Sequence, residues 1–248
     1  GHTLDAGPTS ASRQTYISGN AVLDASRKMA ADLLSEAARH LKRPQNELSL
    51  KDSCVVDTSG KRLMLLTELV EKMVETKGPL QWEGYFDPVT TKLDPETGQG
   101  IPFATYTFAS HLAMVEVNGE TGTVQVMKVV AAQDVGKAIN PQGVMGQIQG
   151  GVGMGLGFAL MEKFQPGKTL SMSEYYIPTS LDMPEIECLI VEDPEPTGPF
   201  GAKGMGEPSL APTAPAILNA IADALGKRVY HLPANAENVR ATIRRSEP

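Results

Sequence analysis

The run that most restricts the fold is GVMGQIQGGVGMGLGFALM, residues 143–161, which carries no charge and contains seven glycines. Each glycine weakens a helix by roughly 1 kcal/mol relative to alanine, so this helix needs close packing to be stable. The run is nearly long enough for a membrane span and contains G-x-x-x-G pairs, but Gln147 and Gln149 interrupt it. We predict a buried helix beginning near Pro141, whose glycines permit close approach of another element or of a ligand.

The bulk composition excludes several classes of partner. The chain has 248 residues, of which 41% are hydrophobic and 21% charged, as in ordinary globular proteins. A net charge of −7 argues against nucleic acid or an anionic membrane as the main partner. The two cysteines, Cys54 and Cys188, lie far apart and form no C-x-x-C motif. We therefore expect no zinc site, a reducing compartment and a cytoplasmic location.

Hydrophobic periodicity predicts several elements in the first half of the chain. A helix is expected over residues 20–42, with Asn20 as its cap and Pro44 beyond its end. Two β-rich runs around the turn NGETG predict a long hairpin within residues 105–136. The remaining predictions are short strands in 47–57 and 61–66, a helix over 66–77 ended by Gly78, a strand at 81–86 (QWEGYF) and a polar loop at 87–102.

The second half is predicted to continue with mixed elements. After the glycine-rich helix, a strand is expected in residues 184–193, a helix from about Ser209 to Leu225 and a last helix near 235–244. Helices and strands alternate without a regular βαβ rhythm, so the predicted class is α+β. We expect residues 1–248 to form two interleaved mixed α/β subdomains, with a boundary at about 100–140.

Common nucleotide and hydrolase motifs are absent from the sequence. The glycines at 153, 155 and 157 do not form G-x-G-x-x-G, and a P-loop ending at GKT would require glycine where Glu162 stands. The four histidines are scattered, so they predict no metal site. His111 lies in a strand pattern and is predicted to be a structural hydrogen-bonding residue.

Two segments carry groups suited to an anionic ligand. Ser12, Arg13, Gln14 and Thr15 offer hydroxyl, guanidinium and amide donors just before a helix, an arrangement that suits a phosphate. An ordinary capping loop with a solvated arginine explains the same residues. Gln147 falls in the first turns of the glycine-rich helix, which is either a ligand surface or a tight packing surface.

The third segment, GPFGAKGMGEPSLAPTAPAI at residues 198–217, places Glu207 in a glycine-rich loop before Pro208. Its glycines permit unusual backbone angles, and Lys203 adds a cation. A carboxylate held in a dry pocket becomes a usable general base, because desolvation favours its protonated form. The competing interpretation is a carboxylate that only stabilises the N-terminus of the next helix.

Four motifs in this order resemble the molybdenum hydroxylase family of xanthine dehydrogenase and aldehyde oxidoreductase. They are PTSASRQTYISGNAV, AQDVGKAINPQGVMGQIQGGVGMGLGFALME, GAKGMGEPSLAPTAPAILNAI and LPANAENVRATI. Each motif is weak alone, but their order is specific, and together they extend over nearly the whole chain. The resemblance is to the C-terminal half of the molybdenum-binding subunit, so the fold expected is that of the family's cofactor-binding domain.

The resemblance implies a role for each candidate residue. Glu207 matches the general base of a hydroxylation whose oxygen comes from water. Lys203, Met205 and Gly206 match the loop beside the metal and pterin, and Gln147 matches a glutamine that contacts the cofactor. Ser12, Arg13, Gln14 and Thr15 match the loop that binds the pterin phosphate. The pterin, rather than protein side chains, would hold the molybdenum.

The resemblance also implies cofactors and partners. The cofactor would be molybdenum-molybdopterin, with the bacterial pattern favouring the cytosine dinucleotide form. The N-terminal half of the subunit, and 2Fe-2S and FAD groups on further domains or subunits, would complete the enzyme, and a homodimer is a further expectation. The substrate would be an N-heterocycle, such as a purine, or an aldehyde. The chain alone is expected to be inactive, and the alternative is a non-catalytic assembly or anion-binding module.

Overall fold

The computed structural model describes residues 3–245; residues 1–2 and 246–248, which the domain prediction includes, lie outside the described residues. The chain divides into two compact units. One is Ile17–Val89, and the other combines the described residues up to Tyr16 with those from Thr90 onward. The predicted boundary at about 100–140 between two interleaved subdomains stays a prediction.

The unit Ile17–Val89 consists of two helices and a three-stranded antiparallel sheet. Its elements are α1 (Gly19–Leu41), β1 (Leu48–Lys51), β2 (Cys54–Asp57), β3 (Arg62–Leu65) and α2 (Leu66–Lys77), with strand order β1-β2-β3. Leu33 of α1, Val55 of β2 and Leu69 of α2 are buried together in its core. The predicted end of α2 at Gly78 is confirmed, since the Gly78 N–H bonds the Val74 carbonyl.

The prediction that Asn20 caps the first helix is wrong. A π-helical turn, Gln14–Ser18, runs directly into α1, so the backbone is already helical before Asn20. The helix also ends earlier than expected, at Leu41. Lys42 adopts a left-handed conformation and its N–H bonds the Ala38 carbonyl, which closes the helix before Pro44 is reached.

The predicted strand QWEGYF is also wrong, because residues 81–86 bond to α1 and join no sheet. The Asp24 carboxylate accepts the Tyr85 N–H at 3.0 Å, and Lys28 donates to the Glu83 carbonyl at 3.0 Å. A side chain at Gly84 would overlap the backbone of α1. The segment therefore lies against the helix, where its backbone groups find side-chain partners.

The second unit is built on a mixed three-stranded sheet. Its strands are β4 (Ala109–Val117), β5 (Val124–Asp134) and β6 (Glu185–Val191), in the order β4-β5-β6. The predicted hairpin is confirmed as the antiparallel pair β4–β5, and β6 runs parallel to β5. Helix α3 (Pro141–Leu160) lies between β5 and β6 in the chain, and α4 (Thr213–Leu225) and α5 (Ala236–Arg244) follow β6. The predicted α+β class is confirmed.

Helices α3 and α4 bury one face of this sheet. Ile148 and Val152 of α3, Ile217 of α4 and Val129 of β5 are completely buried in the shared core. The opposite face of the sheet exposes Leu112, Met114, Leu189 and Val191. Within residues 3–245, no helix combines the length and the apolar character needed to cross a membrane.

The glycines of α3 allow it to approach the chain segment around the start of α4. A side chain at Gly151 would overlap Ser209, and one at Gly155 would overlap Thr213. The prediction that α4 begins at about Ser209 is wrong by one turn. Ser209 and the residues after it form tight turns, in which Leu210 N–H bonds the Glu207 carbonyl, and the helix begins at Thr213.

Candidate functional site

Three segments with predicted site residues meet around Glu207 in the second unit. They are the loop that contains Ser12, the start of α3 and the Glu207 loop itself. The residue 11–12 turn contacts Glu207 directly, and Ser209 links the Glu207 loop to α3. Glu207 itself is exposed in this chain. The dry pocket expected around the carboxylate is therefore not formed by the residues that the structure describes.

The Glu207 carboxylate receives a donor on each of its oxygens. The Ser12 hydroxyl donates to Oε2 at 2.9 Å, and the Ala11 N–H donates to Oε1 at 3.2 Å. The same Ser12 hydroxyl accepts the Glu207 N–H at 2.8 Å. Both the side chain and the backbone of Glu207 are thus tied to the residue 11–12 turn.

Close approach of two backbones explains the glycines of the Glu207 loop. A side chain at Gly204 would overlap the Ser12 carbonyl oxygen, and a Cβ at Gly206 would lie 3.3 Å from the Ser12 hydroxyl oxygen. Ala11 and Ser12 both have φ of 53°, in the left-handed region that non-glycine residues rarely occupy. The glycines therefore make room for a tightly turned protein segment.

Ser209 joins this loop to the glycine-rich helix. Its hydroxyl lies 3.2 Å from the Gln147 carbonyl and 3.1 Å from the Gly206 carbonyl, and it is completely buried. Because Gly151 has no side chain, Ser209 reaches the backbone of α3. One buried side chain therefore lies between the backbone at Gln147 and the backbone at Gly206, the residue before Glu207.

Lys203 is occupied by a buried ion pair. Its ammonium lies 2.7 Å from Asp134 Oδ2, and the two side chains are only 5% and 7% exposed. Burial alone lowers the pKa of Lys203, but the hydrogen bond and negative charge of Asp134 outweigh it and raise that pKa above its ordinary value. The Lys203 N–H also bonds the Val135 carbonyl, so the residue attaches the loop to the end of β5. Its predicted contact with a cofactor stays a prediction.

Of the other predicted phosphate residues, Gln14 and Thr15 begin the π-helical turn, and Arg13 immediately precedes it. Arg13 is half-buried, and its guanidinium lies near Gly7, where an added Cβ would be 2.8 Å from Nη1. Gln14 donates through its amide to the Thr9 hydroxyl at 2.7 Å, and Thr15 is exposed. Arg13 and Thr15 are one and three residues beyond Ser12, the residue that contacts Glu207.

Helix α3 also has a second, exposed glycine face. Gly146, Gln147 and Gly150 are exposed, and a Cβ at either glycine would meet none of the described residues within 4 Å. Gly151 and Gly155, on the packed face, have no such space. The two interpretations of the glycine-rich helix, packing surface and ligand surface, therefore apply to different faces of one helix.

Met205 and Gly206 differ in their surroundings. Met205 is partly buried and packs against the core between the sheet and the helices, whereas Gly206 is exposed next to Glu207. Among residues 3–245, no group of three histidine, cysteine or acidic side chains is arranged to hold a metal ion. The donor set around Glu207 is therefore one of hydrogen-bonding groups.

His111 is a partly buried residue that makes a structural hydrogen bond, as predicted. Its Nδ1 lies 3.0 Å from the Thr213 hydroxyl, and burial lowers the pKa of the ring below its ordinary value. Burial therefore favours the neutral ring, which contacts Thr213 at the start of α4.

Sequence reasoning missed three groups that hold the Glu207 loop in place: the Ala11 N–H, Asp134 and Ser209. A backbone N–H leaves no trace in residue type. Asp134 and Lys203 are 69 residues apart, and only the closing of the loop on β5 brings them together. The sequence did contain an indication of the role of Ser209. This residue lies two positions after Glu207, and the glycines of α3 indicated that another segment packs closely against the helix.

Comparison with known proteins identifies the family of the chain. Residues 1–184 match the family described as molybdopterin cofactor-binding domain. The chain is 31% identical over 244 residues to the aldehyde oxidoreductase of Megalodesulfovibrio gigas, which covers 98% of this chain and 24% of that protein. It is 30% identical over 234 residues to the xanthine dehydrogenase molybdenum-binding subunit of Escherichia coli O157:H7, covering 90% of this chain and 29% of the relative.

A solved structure shows the same fold. The aldehyde oxidoreductase from Desulfovibrio gigas superposes with a TM-score of 0.77 at 30% identity, over 97% of this chain and 24% of the solved one. The chain thus spans about a quarter of the length of these relatives. It belongs to the molybdopterin cofactor-binding domain family. The predicted resemblance to xanthine dehydrogenase and aldehyde oxidoreductase is confirmed.

Proposed function

We propose that this chain is part of a molybdenum hydroxylase in which Glu207 is the general base. The observation that carries the proposal is the fixed carboxylate: both of its oxygens receive a hydrogen bond from the residue 11–12 turn. Through Ser209, the Glu207 loop is also joined to α3, the helix that carries the open glycine face. A base must be held within hydrogen-bond reach of the proton that it takes, and this turn restricts where the carboxylate can go.

The residues present fit a large anionic cofactor. The face formed by Gly146, Gln147 and Gly150 lets a ligand lie against helix backbone, where side chains would otherwise block it. Arg13 and Thr15 supply a cation and a hydroxyl for phosphate oxygens nearby. We propose that these residues, with Gln14 and Met205, bind molybdenum-molybdopterin, and that Gly206 allows it to approach Glu207.

The bound cofactor would supply the oxidising chemistry, with oxygen derived from water. Glu207 would accept a proton from the water-derived oxygen, and Gln147 would orient the reacting groups by hydrogen bonding. The exposed Glu207 requires further protein to exclude water from the site. We propose that the N-terminal half of the molybdenum subunit provides it, and that the exposed apolar face of the β4-β5-β6 sheet belongs to such a contact.

The finer assignments follow from the relatives and stay proposals. We propose an aldehyde or an electron-poor N-heterocycle as substrate, since relatives are named aldehyde oxidoreductase and xanthine dehydrogenase. The cofactor would be the cytosine dinucleotide form, with 2Fe-2S and FAD on other domains or subunits, in a cytoplasmic assembly that forms a homodimer. The non-catalytic alternative is favoured only by the exposure of Glu207.

The Glu207→Gln substitution in the complete enzyme tests whether Glu207 is the general base. The amide keeps the shape of the side chain but cannot act as the base, so kcat and kcat/KM should fall together by at least roughly 10²- to 10⁴-fold. Molybdenum content should remain near normal, as measured on the same preparation.

The matched control is Glu120→Gln, which changes an exposed carboxylate in the turn between β4 and β5. It should leave turnover unchanged. A Glu207→Gln enzyme with full metal and near-normal kcat would remove Glu207 from catalysis and favour the non-catalytic module.

A further inference from the structure

Ser12 is placed to control the orientation of Glu207, a role different from the phosphate binding that its loop predicts. A hydroxyl has one proton to donate and two lone pairs to accept with. Here the proton faces Glu207 Oε2 at 2.9 Å and a lone pair faces the Glu207 N–H at 2.8 Å. The side chain is therefore committed twice to one residue 195 positions away.

The second donor makes the contact directional. The Ala11 N–H meets the other carboxylate oxygen at 3.2 Å, so the two donors hold both oxygens of Glu207. A single hydrogen bond would leave the carboxylate free to turn about it, whereas two donors on two oxygens define its plane. Hydrogen bonds to an ionised group are also about twice as strong as those between neutral groups.

The backbone of the turn is strained in a way that serves this contact. Ala11 and Ser12 both have φ of 53°, although neither is glycine. Such conformations cost about 1 kcal/mol or more each and persist where surrounding contacts fix them. Gly204 and Gly206 provide the space that the turn needs, because side chains at these positions would collide with or crowd Ser12.

From these observations we infer that Ser12, with the Ala11 N–H, is a positioning residue that holds the Glu207 carboxylate in its working orientation. The inference rests on the proposed function, since it needs Glu207 to be the base. Ser12 acts through Glu207 and is assigned no contact with cofactor or substrate. Small misplacements of a catalytic group cost up to about 100-fold in rate, so the loss of this contact should be visible in turnover.

The test uses three variants of the complete enzyme. Ser12→Gly removes the hydroxyl and also relieves the left-handed backbone, whereas Ser12→Ala removes the hydroxyl and keeps the strain. Both should lower kcat by roughly 10- to 100-fold with KM and molybdenum content nearly unchanged. Ser12→Asn restores a donor on a residue that tolerates φ above zero, and it should recover part of the lost kcat relative to Ser12→Gly.

The control is Ser10→Ala, the same kind of change two residues away in the exposed part of the loop, which should leave kcat unchanged. A Ser12→Gly enzyme with wild-type kcat, while Glu207→Gln is inactive, would overturn the positioning role and leave the proposed function intact. Loss of molybdenum from Ser12→Gly would instead make Ser12 a cofactor ligand and also overturn it. If Glu207→Gln retains turnover, the proposed function fails first, and this inference fails with it.

Discussion

At the scale of single residues, Lys203 and Glu207 show how one loop holds two charges with different surroundings. Lys203 is buried against Asp134, and Glu207 is exposed and bonded to Ser12. Only three residues, 204 to 206, separate the buried cation of Lys203 from the exposed carboxylate of Glu207. The Lys203–Asp134 ion pair therefore attaches the loop to the end of β5, whereas the Glu207 carboxylate remains at the surface.

Breaking the Lys203–Asp134 pair should destabilise the protein. Lys203→Met leaves the buried Asp134 carboxylate without its partner, for which a loss of about 3–5 kcal/mol in the free energy of unfolding is typical. Lys137→Met is the matched control, because the Lys137–Glu192 pair is 50% and 38% exposed and should contribute at most about 1 kcal/mol. Urea denaturation of both variants measures the difference, and equal losses would contradict a buried, structural pair.

The pH dependence of stability gives a second check on the same pair. The folded protein raises the pKa of Lys203 above its ordinary value of 10.5. The stabilisation that comes from the raised pKa of Lys203 is therefore fully present below pH 10.5 and is lost as the pH rises through the folded-state pKa. The wild type should lose part of its free energy of unfolding in that alkaline range, and Lys203→Met should lack this component.

At the scale of elements, helix α3 has glycines on two faces, one packed against the protein and one open. Gly151 and Gly155 bring its backbone against Ser209 and Thr213, whereas Gly146 and Gly150 face open space beside Gln147. A helix that served only packing would not need the second pair. The open pair is what the proposed cofactor surface requires.

Alanine substitutions on the two faces of α3 should therefore have opposite effects. Gly151→Ala forces a methyl group into Ser209 and should cost about 1–3 kcal/mol in the free energy of unfolding. Gly150→Ala adds a methyl group in open space and should stabilise the helix by up to about 1 kcal/mol. Chemical denaturation compares them directly.

The same pair tests the proposed cofactor surface. In the complete enzyme, Gly150→Ala should lower molybdenum content despite its greater stability, because the methyl group occupies the proposed cofactor face. Full metal content in Gly150→Ala would argue that the open face of α3 is not where the cofactor lies.

At the scale of the whole molecule, the chain supplies only one side of the proposed site. Glu207 is exposed, and the chain spans 24% to 29% of the length of the relatives compared. We expect the purified 248-residue chain to contain no stoichiometric molybdenum, since the pocket around the cofactor would be open to water. Co-expression with the rest of the molybdenum-binding domain should restore metal content.

Elemental analysis of the two preparations decides this prediction. The co-expressed assembly serves as the control for metal supply and cofactor synthesis in the host. Stoichiometric molybdenum in the chain alone would show that the residues present are sufficient to hold the cofactor.

Local patterns in the sequence predicted much of the fold. The β4–β5 hairpin, the start of α3 at Pro141 and the end of α2 at Gly78 depend on residues adjacent in the chain, so they could be predicted. The predicted strand at 81–86 failed because contacts with α1 supply its backbone partners. The predicted cap at Asn20 failed because a preceding π-helical turn already starts the helix.

For the candidate site, residue order alone was enough to single out Glu207, Gln147 and the loop at 12–15, because their motifs are continuous in sequence. Tertiary structure decided which groups these residues contact. Ser12 bonds Glu207 although the two are 195 positions apart in the chain, and Lys203 forms its ion pair with Asp134. Such partners are fixed by backbones that approach closely only once the chain has folded, and glycines at 204, 206 and 151 permit that approach without specifying the neighbour.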